Sequence, residues 1–234
     1  MKYENIKSAL FLSRPNRFIA NIAVDGREEV CHVKNTGRCR ELLYPGAEIF
    51  VQEFDSSKRK TKYDLISVVK KDFIVNIDSQ VPNKIFGEWL LKTKYFGETV
   101  LVKPECVYGK SRFDFYIETK DPRKIFVEIK GVTLEQDGIC AFPDAPTDRG
   151  VKHLNELISC VQDGYEAYVF FVVQLQKAEL FVPNIKTHDL FAKTLKNASN
   201  SGVVIKAVNC NVTKDTIDID DFIEYNLDGG GVFG

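Results

Sequence analysis

The stretch 111-SRFDFYIETKDPRKIFVEIKGVTL-134 decides how the second half of the chain is read. Two runs rich in aromatic and β-branched residues, "RFDFYIE" and "KIFVEIKGV", flank a turn, which is the pattern of a β-hairpin. Strand side chains alternate between faces, so Phe113, Phe115 and Ile117 are expected on one face and Arg112, Asp114 and Tyr116 on the other. On the second arm Val127 and Ile129 share a face, and Glu128 and Lys130 share its opposite. The polar residues of both arms can therefore lie on one side of one sheet. Two adjacent carboxylates repel unless a cation lies between them, and an oxygen-only site suits Mg²⁺ or Mn²⁺ rather than zinc. An acid, a gap and Glu-x-Lys fit the solvated face of an ordinary hairpin equally well, so the hairpin by itself does not choose.

Its flanks do more. Before it, "NKIFGEWLLKTKYF" places Ile85, Trp89 and Leu90 at helical spacing with Asn83 as the expected N-cap, and "TVLVKPECVYG" reads as a strand. After it come a Pro-rich loop "AFPDAPTDRG", an amphipathic helix "VKHLNELISCVQDG" and the apolar run "AYVFFVVQL", a strand buried on both faces. A helix around "HDLFAKTLKNASNSG", stopped by Gly202, and a strand "VVIKAVNC" complete the order α-β-β-β-α-β-α-β. That order sets the hairpin inside a sheet, where metal-dependent phosphodiester cleavage would use it: carboxylates fix the ion and Lys130 orients the nucleophile. The Pro-rich loop leads into a helix start with Thr147 or Asp148 as N-cap, suited to receive a phosphate, with Arg149, Lys152 and His153 behind it.

The first 80 residues differ in kind. "RFIANIAV", "EEVCHVK", "AEIFVQEF", "KYDLISVV" and "DFIVNI" are short strands separated by turns, and five or six of them in this length suggest a small barrel of the oligonucleotide-binding (OB) type. Arg17 beside Phe18, the "NTG" loop with Arg38 and Arg40, and Lys58, Arg59, Lys60 and Lys62 in "SSKRKTK" make a basic surface or, for the last run, a merely solvated loop.

The net charge of −1 conceals this distribution, since residues 1 to 80 hold 14 Lys and Arg against 11 Asp and Glu while "TKDTIDIDDFIEYNLDGGG" holds six acids and one Lys. A hydrophobic share of 44% and a charged share of 28% are those of an ordinary globular protein. No secretory signal and no apolar run of about 18 residues is present, so a cytoplasmic protein without membrane contact is expected. The six cysteines form no C-x-x-C pair and are expected to be reduced and mostly buried.

The segments "YGKSRFDF", "VEIKGVTL" and "FPDAPTDRGVKHLNEL" resemble the sugar fermentation stimulation protein A family, and "HVKNTGRCRELLYPG" is similar to that family's other signature. The resemblance implies an α/β (α+β) fold: a five-stranded OB-type barrel over residues 1–80, then a restriction-endonuclease-like α/β/α domain with a central mixed sheet over 81–234. It implies a DNA-binding protein of low sequence specificity, a link to sugar (maltose) metabolism, and a nuclease-like site whose activity is inferred from the fold. Catalysis then falls to Asp114, Glu128 and Lys130 with Glu88 as an additional acid, and Mg²⁺ or Mn²⁺ to Asp114, Glu128 and Ile129. Glu105 matches a further acid of the family pattern, although Pro104 leaves its facing open between a catalytic and a buried structural role. Tyr116 and His153 are placed behind the ligands, with a packing histidine as the alternative for His153. DNA contacts are assigned to Arg17, Asn35, Thr36, Arg38, Arg40, Lys58, Arg59, Lys60, Lys62, Arg149 and Lys152. The strandedness of the DNA and the oligomeric state stay open, a homodimer included. Two alternatives stand beside this: a DNA-binding regulator with an inactive site, and a metabolite-binding barrel, for which the chain offers no Gly-rich phosphate loop and one Trp.

Overall fold

The computed structural model of the chain describes residues 1–35, 37–55 and 59–229. Six strands open it: β1 (Ile6–Asn16), β2 (Ile19–Val24), β3 (Arg27–Val33), β4 (Glu48–Glu53), β5 (Tyr63–Lys70) and β6 (Phe73–Asn76), ordered β3-β2-β1-β4-β5-β6. A parallel pairing of β3 with β5, from Cys31 opposite Tyr63 to Val33 opposite Leu65, closes the first five into a barrel, with β6 hairpinned onto β5. The sequence reading has no strand before "RFIANIAV", and β1 is the correction. Its ladder with β2 shifts register twice, between Phe11 and Ser13 and between Ser13 and Asn16, which breaks the two-residue period that would have announced it.

A helix, α1 (Val81–Thr93), leads into a mixed sheet built from β7 (Thr99–Tyr108), β8 (Ser111–Thr119), β9 (Lys124–Val132), β12 (Glu166–Val173), β14 (Val204–Val212) and β15 (Ile217–Phe222), ordered β15-β14-β12-β9-β8-β7. The three inner strands β9, β12 and β14 run parallel and the outer ones antiparallel to their neighbours. β12 is the apolar run foreseen as doubly buried, and its side chains divide strictly. Phe170 and Val172 meet α1, whereas Val169 and Phe171 join the cluster that holds Leu154 and Leu157 of α2 (Asp148–Gln162) and Leu195 of α3 (Ile185–Asn200). Helices therefore cover both faces, as a largely parallel sheet requires. Phe86 anchors α1, its ring 5.2 Å from Phe115 and 4.8 Å from Phe170. Segments to which the sequence reading gives no strand form a second small sheet of β10 (Leu134–Gln136), β11 (Ile139–Phe142), β13 (Leu180–Pro183) and β16 (Glu224–Tyr225). These strands are two to four residues long, too short for any periodicity to register.

Barrel and sheet share one apolar cluster, running from Ile22 and Leu65 to Val173 and Phe181. A buried polar joint reinforces it: Gln174 Nε2 donates to Asn76 Oδ1 and to the Asp78 carbonyl, both at 3.1 Å. Gly131, beside Lys130, touches this joint, because a Cβ there would come 2.7 Å from Gln174 Oε1 and 2.8 Å from Pro82 Cγ. All six cysteines are free, and five of them are buried. Among the described residues no helix is long and apolar enough to cross a membrane.

Candidate functional site

The site begins where β8 and β9 part. Their ladder runs from Glu118 opposite Lys124 to Phe115 opposite Val127 and ends there. One residue further, Asp114 takes over with its side chain: Oδ2 accepts the Ile129 amide at 2.7 Å, and Oδ1 accepts Asn83 Nδ2 from α1 at 2.6 Å. The carboxylate thus occupies a main-chain donor that the sheet would otherwise have used. Alternation fails at the same point. Phe115 packs on Phe86 beneath α1, but Phe113 lies 5.5 Å from Phe126 and 5.9 Å from the His153 ring, in the core on the other face. The expectation that Phe113 and Phe115 share a face is therefore corrected.

Glu128 is 3% exposed. Its Oε1 accepts Lys130 Nζ at 2.5 Å and His153 Nδ1 at 2.6 Å. The other ring nitrogen of His153, Nε2, accepts Arg149 Nε at 3.3 Å, which leaves the ring proton on Nδ1, where it donates to Glu128. His153 and Arg149 come from the first turns of α2, whose N-cap is Thr147, its side chain accepting the Gly150 amide at 3.0 Å. Oε2 of Glu128 is buried and has no hydrogen-bond partner among the described residues. Burial and the neighbouring Glu128 charge push the Asp114 carboxyl up to about 6, against the Ile129 amide, Lys130 and Asn83. Burial would raise Glu128 as well, but the His153 hydrogen bond and the Lys130 charge outweigh it and hold Glu128 below the ordinary carboxylate range. Two adjacent carboxyls driven in opposite directions form a coupled pair.

This donor set fits a hard divalent cation. It offers carboxylate oxygens, an orphaned one among them, in a setting where a positive charge would offset the burial and the Glu128 repulsion that raise Asp114. Among the described residues no group of three or more His, Cys, Asp or Glu is placed to hold a metal.

Several expected residues lie elsewhere. Glu88 is half exposed and pairs with the Met1 ammonium at 3.0 Å; the residue that α1 does send to the site is Asn83. Asn83 is no N-cap, since the helix starts two residues earlier at Val81 with Pro82 in its first turn, where a missing N–H costs nothing. Glu105 has a left-handed backbone (φ 55°) and an exposed carboxylate 3.1 Å from Arg112, and the β7–β8 irregularity falls between Thr99 and Leu101 rather than at Pro104. Tyr116 donates to Glu118 Oε1 at 2.6 Å and packs on Phe126, away from the carboxyl pair. Arg149 and Lys152 border a surface cavity of about 600 Å³ that His153 also lines, with Lys152 Nζ on the Lys110 carbonyl at 2.6 Å.

In the barrel, Arg17, Arg38 and Arg40 line one cavity together with Arg14, a residue sequence reasoning passed over. Asn35 builds the loop: its Oδ1 accepts the Gly37 amide at 2.7 Å and its Nδ2 donates to the Ile77 carbonyl at 3.0 Å. In the basic loop Arg59 is paired with the buried Asp64 and covers the Phe54 ring at 3.9 Å, and Lys62 pairs with Glu53 at 2.6 Å. Lys60 stays exposed near them. Thr36 and Lys58 lie outside the described residues.

Residues 12–77 match the family described as SfsA N-terminal OB domain, and residues 80–216 the family described as sugar fermentation stimulation protein RE domain. The chain is 57% identical over 227 residues to a sugar fermentation stimulation protein homolog of Clostridium beijerinckii, covering 97% of this chain and 100% of that one. A homolog of the same name from Desulfitobacterium hafniense is 58% identical, covering 97% and 99%. The solved structure of Pyrococcus furiosus SfsA in complex with Ca²⁺ superposes with a TM-score of 0.88 at 29% identity, covering 97% of this chain and 98% of that one.

Proposed function

The chain belongs to the sugar fermentation stimulation protein family, and from that membership we propose that it is a DNA-binding protein whose Asp114, Glu128 and Lys130 form a divalent-metal-dependent phosphodiesterase site. The observation that carries the reading is the buried, unpartnered Oε2 of Glu128 beside an Asp114 carboxyl raised to about 6. Asp114, Glu128 and the Ile129 main chain would hold Mg²⁺ or Mn²⁺; the Pyrococcus furiosus relative, with Ca²⁺, carries another cation of hard-oxygen preference. When bound, the cation supplies Lewis-acid stabilisation of the charge that develops on a phosphodiester. Asn83 and the Ile129 amide fix the Asp114 carboxylate in place. His153 and Lys130 both hold Oε1 of Glu128, which leaves Oε2 for the ion. Lys130 spends one proton on Glu128 and keeps two to orient a water or a phosphate oxygen. Arg149 and Lys152, beside the cavity at the start of α2, would receive flanking phosphates, and residues 1–80 would bind the strand through Arg17, Arg38 and Arg40.

Incubation with single-stranded and duplex DNA plus Mg²⁺ or Mn²⁺ tests the activity, with Asp114→Ala as control. Cleavage that disappears in the variant is the expected result. Cleavage that survives it, or DNA binding with no cleavage under any divalent ion, would overturn the enzymatic reading, the latter outcome in favour of a DNA-binding protein that does not cut. A role in sugar metabolism rests on the family's name alone.

A further inference from the structure

The arginine-lined cavity of the barrel, about 290 Å³ in volume, is no part of the carboxylate site. Arg14 is its scaffold. Nη1 donates to the carbonyls of Gly37 and Arg38, both at 2.8 Å, and Nη2 to those of Arg17 at 2.8 Å and Asn35 at 2.6 Å. One guanidinium thereby ties the end of β1 to the two loops that carry Arg17, Arg38 and Arg40. None of these four partners is an acid, and among the described residues no Asp or Glu lines the cavity, Asp144 lying beyond Gly37 in the neighbouring cleft. Among the described residues Arg17, Arg38 and Arg40 form no ion pair either, in contrast to Arg59 and Lys62 of the neighbouring basic loop. Four like charges around one small space repel each other until an anion enters.

We propose that this cavity binds a phosphate monoester, namely the terminal phosphate of a nucleic-acid strand; the inference rests on the reading that the chain binds nucleic acid. The count of charges and oxygens favours an end over a passing backbone. A phosphodiester presents one charge and two non-bridging oxygens, whereas a terminal monoester presents about −1.5 to −2 charges and three oxygens. Three guanidinium forks with no ion pair among the described residues, each able to grip two oxygens, match the monoester. The surroundings favour a strand over a small free phosphoester. Phe18, 50% exposed, carries the Arg17 guanidinium 5.4 Å from its ring centroid, and Tyr44, 55% exposed, follows Leu43 of the cavity wall, so aromatic surface for a base adjoins the arginines. The cavity also shares Gly37 with the cleft between barrel and sheet, which Gly131 lines next to Lys130. A side chain at Gly37 would obstruct that junction, its Cβ falling 2.5 Å from Asp144 Oδ2 and 2.9 Å from Asn35 Oδ1.

The test is a fluorescence-anisotropy titration of the full chain in EDTA, where cleavage is suppressed. The probes are short labelled oligonucleotides, single-stranded and duplex, ending in 5′-phosphate, in 3′-phosphate or in hydroxyls only. One phosphorylated end is expected to bind tighter than the hydroxyl form by about tenfold, the worth of one charge-assisted hydrogen bond. Arg38→Ala/Arg40→Ala should abolish that difference, and Arg38→Lys/Arg40→Lys, which keeps the charge but not the forks, should lose most of it. Equal affinity for all three probes would overturn this inference and leave the phosphodiesterase reading untouched, whereas absence of binding to any probe would overturn both. A nucleoside monophosphate that competes as well as the phosphorylated strand would overturn the strand assignment.

Discussion

Replacing Asp114 by Asn should stabilise the metal-free protein at neutral pH, and the magnitude follows from the site. The Asp114 carboxyl stands at about 6 in the fold against 3.8 for an ordinary aspartate, because it is buried and faces Glu128. Its protonated form therefore contributes stability that is complete below pH 3.8, declines as pH rises towards 6, and is gone above it. The distance from 3.8 to about 6, at about 1.4 kcal/mol per tenfold change in proton affinity, puts the penalty of the ionised form near 3 kcal/mol at pH 7.5. Asparagine removes that penalty but offers one acceptor to the two donors Ile129 N and Asn83 Nδ2, which costs about 1 kcal/mol. A net gain of about 2 kcal/mol, or about 4–8 °C in Tm, is expected in EDTA at pH 7.5. The gain should shrink as pH falls through 6 and reverse by about 1 kcal/mol near pH 4, where the wild-type carboxyl is neutral. Urea denaturation from pH 4 to 8 measures this directly. Saturating Ca²⁺ or Mg²⁺ should stabilise the wild type by about 2–3 kcal/mol at 100 times its Kd and leave the variant almost unmoved. Stability curves for the two proteins that run parallel from pH 4 to 8 would refute the argument, because the penalty would then not come from ionising Asp114.

Three further outcomes are expected. His153→Ala removes one of the two donors on Glu128 Oε1 and should weaken Ca²⁺ binding about 10- to 100-fold by isothermal titration calorimetry, with the urea midpoint as the control for folding. Gly131→Ala drives a Cβ against Pro82 and against a Gln174 held by two hydrogen bonds, so it should cost about 1–3 kcal/mol in urea denaturation. Glu88→Gln, which touches the Met1 ammonium rather than the carboxyl pair, should leave the metal-dependent cleavage rate within about twofold of wild type, as surface changes away from a site usually do.

What the sequence discloses depends on how regular the local geometry is. β12 was legible because eight consecutive residues sit in one straight, doubly covered strand, and α2 because its apolar positions recur at helical spacing. β1 was not, since two register shifts scramble its alternation. The strands of the small sheet each span at most four residues and owe their existence to long-range pairing, such as Cys140 opposite Phe181 in parallel. Local propensity carries no information about such a partner. Arg14 illustrates the same limit among polar residues. Nothing in "SRPNR" distinguishes it from Arg17, yet one ends up clasped by four carbonyls and the other exposed in the cavity wall.

Strand alternation suggests that Asp114, Glu128 and Lys130 converge, but alternation is not what brings them together. Had β8 and β9 stayed paired past Phe115, the Ile129 amide would have been free to serve the ladder and Asp114 would have had no main-chain donor to hold it. The strands separate, Phe113 crosses to the other core, and the Asp114 side chain fills the gap that the backbone leaves. That exchange fixes the carboxylate at the mouth of the hairpin and opens the space in which Asn83 from α1 reaches it on one side while His153 from α2 reaches Glu128 on the other. Both helper residues are polar groups on otherwise packed helices, which is why the sequence suggested a cap for one and left packing open for the other. Their roles follow from which carboxylate oxygen they occupy: between them, Lys130 and the Ile129 amide, every oxygen of the pair is engaged except Oε2 of Glu128. A solvated hairpin would have no reason to bury that oxygen and leave it without a partner, since water would serve it at no cost.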